Sequence, residues 1–566
     1  MGKDAAPGGR WLPALMVGWT LVVVGLWLAA PPAHPEITVF YRKLQDQWLL
    51  LAMLWAWTGA AVALRRWPLV RAWRIDTRAV WGLTALAALV ALAGHYLVLS
   101  GYDLSRDEQM VSFDAAIYRA GRLAWPVPVE WRGDIPALNT LFMMPLARPA
   151  AWVSTYLPGN AMLEALLGPL KTPLLMAVSV LALWRVGRRL LGPDQDALAV
   201  MMALFLLSGQ VLFSAMSRFA MPAHLAFNLV WLWLFLRDTR RSDLAALAVG
   251  FVATGLHQPL FHPMFVAPWL ALLLWERRWG RLALFVGGYL AISLFWLWWP
   301  HLTLDAVRGP DSVLVEAGSD YVSRLMETLA QNSDNGTLMA ANLLRMVAWT
   351  HPALWVLAAV GAWAGRRDGR VLALLGGAVI VVVVMGLILP YQGHGFGYRY
   401  LHPMLGNVAL LGALGWQSLG TAWRDRLRGG LVALSGLTLV VLIPMQGWFA
   451  HRLYGAFADA SAKIDTVHAD YIIIGNYDAP LALDLGINRP DLSNRPLRLI
   501  EYGYDDLEEI APRLCAHGET VALPARSFYF GIGRALNMMP GRTTERRRAW
   551  HTQEFTNAGC KVVSLP

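Results

Sequence analysis

Three carboxylates and three guanidinium groups share one short stretch of this chain. Asp107, Glu108 and Asp114 stand among Arg106, Arg119 and Arg122. A carboxylate can take a proton from an attacking hydroxyl. An arginine can hold a leaving phosphate by two parallel hydrogen bonds. Residues of these two types, set side by side, suit transfer of a group from a phosphate to a hydroxyl. Helix capping explains one acidic residue equally well, because a carboxylate at a helix start accepts free backbone N–H groups and complements the dipole. On residue types alone the two readings balance.

The element that must position these groups is a helix. Met110, Phe113, Ile117, Ala120 and Ala124 recur at three- and four-residue intervals, which puts them on one face. Pro126 and Pro128 are expected to end it. A short amphipathic helix of this kind is expected in the membrane interface. Asp107 and Asp114, seven apart, share another face, and Glu108 lies about a quarter-turn round.

The surrounding chain is made for a bilayer. Of 566 residues, 57% are hydrophobic and only 15% are charged, where a soluble domain carries about 25% charge. Apolar runs long enough to span a membrane recur from Trp11 to Met445. The net charge of +10 does not point to nucleic acid, because the arginines sit in short clusters between apolar runs. About thirteen spans are expected, near 11–30, 47–64, 79–100, 168–184, 197–215, 223–236, 244–261, 263–276, 282–299, 346–365, 371–390, 401–419 and 430–446. The first run is read as a retained helix rather than a cleaved signal peptide.

The clusters lie between the second and third spans (Arg65, Arg66, Arg71, Arg74, Arg78) and after the fourth (Arg185, Arg188, Arg189). Others follow the sixth (Arg237, Arg240, Arg241), eighth (Arg277, Arg278, Arg281), tenth (Arg366, Arg367, Arg370) and twelfth (Arg424, Arg426, Arg428). With this count all fall on one side, which the positive-inside rule makes the cytoplasm. The N-terminus is then cytoplasmic. The long loops near 101–167 and 300–345, and everything after about 447, are extracytoplasmic.

The expected domains are therefore a transmembrane region, 1–446, that includes both loops, and a soluble α/β domain, 447–566. Within the latter, 470–475, 495–500, 519–523 and 560–564 read as strands and 505–514 as a helix. The two cysteines of the chain, Cys515 and Cys560, both lie there. In an oxidising compartment they are a disulfide candidate.

With these residues in place the sequence resembles the GT-C superfamily of glycosyltransferases. The nearer likeness is to the protein O-mannosyltransferase and lipid A aminoarabinose transferase branch. Asp107-Glu108 is similar to the family's acidic pair at the start of the first long outer loop. Ser217-Arg218-Phe219-Ala220-Met221-Pro222 is similar to its Ser-Arg-x-x-x-Pro turn. Tyr398-Arg399-Tyr400-Leu401-His402-Pro403 resembles its Arg-Tyr-x-x-Pro entry to a late helix. The chain departs from the pattern at Ala223-His224, where the family often has Asp after the proline. It departs again at Gly133-Asp134-Ile135-Pro136-Ala137, in place of Lys-Pro-Pro, and at His257-Gln258-Pro259, in place of Lys-Gly.

The resemblance implies an α-helical polytopic inner-membrane enzyme. It would move a sugar, with inversion, from a polyprenyl-phosphate carrier to an acceptor hydroxyl on the outer face. The acceptor could be a glycolipid, a polysaccharide or a protein. Asp107 would be the base and Glu108 a supporting acid. Arg218 and Arg399 would take the carrier phosphate. Arg106, Arg122, Asp134, Lys171, His224, His257, His262 and Tyr398 are further candidates to line the substrate site, and Lys171 could equally snorkel. The cofactor stays open; a divalent metal would find its candidates in Glu108, Glu130 and Asp134. The alternatives are a transporter or flippase of lipid-linked sugar, a polymerase or ligase using the same carrier, and an inactive relative.

Overall fold

The computed structural model describes residues 8–30, 36–66, 71–139, 142–314, 335–475, 478–501, 507–541 and 543–566. Helices dominate. Every expected apolar run holds one, and among the described residues five are long and apolar enough to cross a membrane: Thr77–Leu97, Gly159–Leu190, Trp279–Val307, Gly369–Ile388 and Thr421–Asp465. Shorter apolar helices include Gln195–Leu206, Met221–Phe235, Phe261–Trp275 and Leu354–Ala364. The chain is an integral membrane protein. It divides into two compact units. One takes Met1–Gly94, Pro169–Leu297 and Asp320–Trp448; the other takes His95–Gly168, Trp298–Ser319 and Phe449–Pro566. The segment after 448 thus shares a unit with the loop expected at 101–167.

One expected loop is shorter than 300–345. Asn335–Ala348 is a helix, and residues 315–334 lie outside the described ones. Leu338, Ala341 and Leu344, three apart, are buried. Ala341 and Leu344 pack with Val23 and Leu26 of Gly8–Ala29. That three-residue period makes a helix of what read as connection.

In the first unit, small residues let helices approach closely. Gly361 of Leu354–Ala364 faces Gly415 of Leu405–Ser418. A Cβ at Gly361 would stand 2.0 Å from the Leu411 carbonyl oxygen, and one at Gly415 2.0 Å from that of Leu357. Both obstacles are backbone, so the helices themselves would have to separate. In lipid, where packing rather than the hydrophobic effect joins helices, such contacts carry the association. Gly415→Leu is therefore expected to yield no monodisperse protein in detergent. Size-exclusion chromatography checks this; a wild-type profile would refute it.

The arginine-bearing connections meet one another. Asp196 accepts from Arg428 Nη2 at 3.1 Å, from Trp416 Nε1 at 2.8 Å and from the Trp73 N–H at 3.0 Å. Arg424 pairs with Asp194 at 2.8 Å. Arg281 pairs with Asp243 at 2.6 Å and Arg278 with Asp238 at 2.5 Å. Arg185 and Arg237 both stand over the Trp233 ring. The connections at 73, 194–196 and 424–428 are thus joined in space, as are those at 185, 237–243 and 278–281. The side chains of Arg65 and Arg66 lie outside the described residues.

In the second unit, the strands Tyr471–Ile474, Leu497–Ile500, Thr520–Pro524 and Lys561–Leu565 form a parallel sheet. Leu497–Ile500 is at one edge, then Tyr471–Ile474, Thr520–Pro524 and Lys561–Leu565. The four strand expectations agree with it. The expected helix starts at Leu507, and residues 502–506 lie outside the described ones. Thr543–Asn557 is a further helix that the sequence reading did not contain. Cys515 and Cys560 are bonded, with Cα atoms 4.8 Å apart.

The helix Arg106–Arg119 corrects two expectations. Its apolar residues Met110, Phe113 and Ile117 are buried in one cluster with Ile473, Leu497, Leu499 and Val521 of the sheet. The face expected to lie in lipid is packed against protein. The helix also ends at Arg119 rather than at the prolines, and Gly121 follows at φ +70°, a conformation in which a glycine avoids the Cβ clash.

Candidate active site

The three carboxylates of Arg106–Arg119 do three different things. Ser105 caps the helix. Its Oγ accepts the Glu108 N–H, and Glu108 Oε2 accepts the Ser105 N–H, each at 3.2 Å. Glu108 Oε2 also accepts from the Tyr454 hydroxyl at 3.0 Å. Glu108 is buried. Glu108, the expected supporting acid, thus closes the cap of its helix. The Ser-x-x-Glu spacing is itself the sequence signal for that reciprocal cap.

Asp114 is buried too. It accepts from the Ser154 N–H at 3.1 Å and from the Ser154 hydroxyl. Burial pushes its carboxyl up to about 7, against the opposing pull of the two Ser154 bonds. The folded state therefore holds a proton that the unfolded chain releases. The stability tied to it is full below pH ~4 and is lost as pH rises through about 7, by up to ~1.4 kcal/mol per pH unit. Asp114→Asn cannot ionise, so its unfolding midpoint is expected to vary less between pH 5 and 8 than that of wild type. Thermal unfolding across that range checks it; parallel curves would refute it.

Asp107 alone of the three keeps partial exposure, and the Tyr156 hydroxyl donates to its Oδ1. Tyr156 has no sequence signal: it lies 49 residues away, beyond two proline-rich turns.

Arg106 is buried and spent internally. It donates to Gln109 Oε1 at 2.9 Å, to the Gly486 carbonyl at 3.3 Å and to the Leu483 carbonyl, and its Nε lies 3.6 Å from Asp484. This guanidinium, a candidate to bind substrate, fastens the helix to the 483–486 turn. Arg122 is exposed, 4.8 Å over the Trp125 ring. Asp134 pairs with Arg513, which also donates to the Glu130 carbonyl at 2.9 Å. Glu108 is engaged in the cap and with Tyr454, and Asp134 with Arg513, so the three candidates do not form a ligand set for a divalent ion. Among the described residues no group of three His, Cys, Asp or Glu is placed to hold one.

The other candidates lie in the first unit, where several converge. Lys171 starts the helix Lys171–Leu190 and is wholly buried. That corrects the snorkelling alternative. Its Nζ reaches the Arg218 carbonyl at 3.5 Å. Arg218 and Phe219 belong to the turn before Met221–Phe235, whose second residue is Pro222. The Arg399 guanidinium lies 5.4 Å from the Phe219 ring and 5.2 Å from that of Tyr400. Phe261 then links Tyr400, at 5.8 Å, to His224, at 5.3 Å. Arg399 and His224 thus share one aromatic neighbourhood, and Lys171 reaches the main chain next to Phe219.

The remaining members support it. Tyr398 is buried, and its carbonyl accepts from Gln210 at 2.7 Å. His262 bridges Asn228 Oδ1 at 2.7 Å and the Tyr289 hydroxyl at 2.8 Å. His257 is buried, and His224 is buried with neither ring nitrogen in a hydrogen bond.

No protein-family model and no curated protein matches the chain. Solved structures similar to it are those of GT-C glycosyltransferases. One is ArnT from Cupriavidus metallidurans bound to undecaprenyl phosphate, with 13% identity, a TM-score of 0.46, and coverage of 84% of this chain and 91% of that one. The same protein in the apo state gives 13%, 0.43, 83% and 91%. The Archaeoglobus fulgidus oligosaccharyltransferase, tethered with an acceptor peptide, gives 11%, 0.41, 82% and 68%.

Proposed function

We propose that the protein is an inverting glycosyltransferase. It moves a sugar from a polyprenyl-phosphate carrier to an acceptor hydroxyl on the outer side of the membrane. The observation that carries the reading is Asp107, the one acidic residue of its helix that is neither in the capping box nor buried in the core. Asp107 takes the proton of the acceptor hydroxyl as its oxygen attacks the anomeric carbon. The bond from that carbon to the carrier phosphate breaks on the opposite face, and polyprenyl phosphate leaves. Tyr156 aims the carboxylate. Arg218 and Arg399, which the resemblance offers as the groups for the carrier phosphate, would neutralise charge building on it, and such groups lower a barrier when they are fixed before reaction. The isoprenoid tail stays in lipid, since each CH2 brought into water costs about 0.8 kcal/mol.

Sidedness follows from the arginines and the cysteines. The joined basic connections belong on the cytoplasmic face. A disulfide is stable on the oxidising side, which supports an outer location for the sheet-bearing segment. The test is transfer of labelled sugar from cell-extracted polyprenyl-phosphate sugars by the purified protein. Label appearing on an acceptor supports the reading. Carrier bound but never turned over would replace it with a transporter or an inactive relative.

A further inference from the structure

On the side of Arg106–Arg119 turned away from Asp107, the second unit holds an open cavity of ≈ 630 Å³, within the ~300–1,000 Å³ usual for ligand sites. Gln109, Met110, Ser112, Phe113 and Ala116 supply one wall. On a helix Gln109, Ser112, Phe113 and Ala116 lie more than a quarter-turn from position 107, and Met110 about 60° from it. The opposite wall is the 487–498 segment, with Pro490 and Ile487 beside Asn488, Asn494 and Ser493. Alternating apolar and amide or hydroxyl groups suit a sugar, which presents both C–H faces and hydroxyls.

Two features make the preferred sugar an acidic one. Arg489 and Arg495 line the cavity and are exposed. Each is bonded to its own loop through Nη1, Arg489 to Ser493 Oγ at 3.5 Å and Arg495 to the carbonyls of Leu492 and Asn494 at 2.9 and 2.8 Å. The other edge of each planar guanidinium is suited to a carboxylate or phosphate. Of the lining acids, Asp465 is paired with Arg498 at 2.6 Å, and Asp103 accepts from Ser112 at 2.5 Å. The wall is also rigid. Asn488 donates to the carbonyls of Leu138 and Arg498, at 2.6 and 2.9 Å, and Trp152 Nε1 donates to the Pro490 carbonyl at 3.0 Å.

We propose that this cavity binds an anionic saccharide, carboxylated or phosphorylated, as a non-reacting part of the acceptor. The word acceptor rests on the transferase reading; the binding site does not. The test is binding of a short oligogalacturonate to the full-length protein in nanodiscs, beside a maltooligosaccharide of equal length. Saturable binding of the acidic oligomer is expected, with the neutral one at least tenfold weaker. Arg489→Gln with Arg495→Gln should weaken the acidic oligomer about tenfold, while Arg546→Gln, an exposed arginine elsewhere, leaves it unchanged. Equal binding of both oligomers, no binding by wild type, or an equal loss in Arg546→Gln would overturn the proposal. Asp107→Asn should bind as wild type does. If that variant also keeps full transfer activity, the transferase mechanism fails while the cavity stands. If transfer is lost but the cavity variants bind normally, the reverse holds.

Discussion

Asp107→Asn is expected to lower kcat for sugar transfer by about 10²–10⁴-fold, the usual worth of a positioned general base, with KM for the carrier little changed. The amide keeps the shape and can still accept from Tyr156, so the fold has no reason to respond. Tyr156→Phe removes the hydroxyl that holds the carboxylate. As a positioning change it should cost about tenfold in kcat and leave thermal stability within about 1 kcal/mol of wild type. Glu108 provides the contrast. Its carboxylate closes a cap and accepts from Tyr454, so Glu108→Ala should lower the stability by the ~1 kcal/mol typical of a lost cap. Glu108→Gln, which can serve in the same cap, should be nearly silent. Steady-state kinetics and thermal unfolding on the same four proteins separate the two carboxylates. If Glu108→Gln abolishes transfer while Asp107→Asn does not, the roles are reversed and the mechanism falls with them.

That contrast also shows where sequence reasoning reaches its limit. The helix itself was legible, because Met110, Phe113 and Ile117 keep helical spacing. Its partner was not. An amphipathic pattern says that a face is buried without saying what covers it, and here the cluster that buries it runs from Trp152 and Val153 to a sheet more than 350 residues further on. Arg106 looked like a phosphate ligand because charge and position were all the sequence offered. Its bonds run to the carbonyls of Leu483 and Gly486, and carbonyls leave no trace in side-chain types. The four strands were found as short β-branched runs between turn residues. The helix Thr543–Asn557 was not, since only Thr544, His551 and Phe555 of it are buried, too thin a stripe to stand out against its charges. The basic clusters were the most legible feature of all. Membrane orientation depends on composition near the ends of spans, and the fold joins several of these connections through Asp194, Asp196, Asp238 and Asp243.

Replacing Cys515 and Cys560 together by alanine is expected to destabilise the sheet by about 4 kcal/mol, the loop-closure entropy of a cross-link spanning 45 residues. The location concentrates the effect. Cys515 directly follows the helix Leu507–Leu514, and Cys560 directly precedes the edge strand Lys561–Leu565. Among the described residues that strand pairs with one neighbour, Thr520–Pro524, so the bond holds the sheet where it has a single partner. Leu514, Cys515 and Cys560 are buried with Val521 and Phe555, and alanine leaves space there as well as a longer free chain. Amide exchange should report this directly. Protection along Lys561–Leu565 should fall by several hundredfold or more, while Tyr471–Ile474, paired on both sides, loses less. Exchange in Gln195–Leu206 and Leu405–Ser418, in the other unit, should not change. Uniform loss of protection in both units would mean that they unfold together and that the bond stabilises the whole chain. Two free thiols titrating in unreduced, denatured protein would mean that the bond does not form, and would remove with it the argument that this segment lies on the oxidising side.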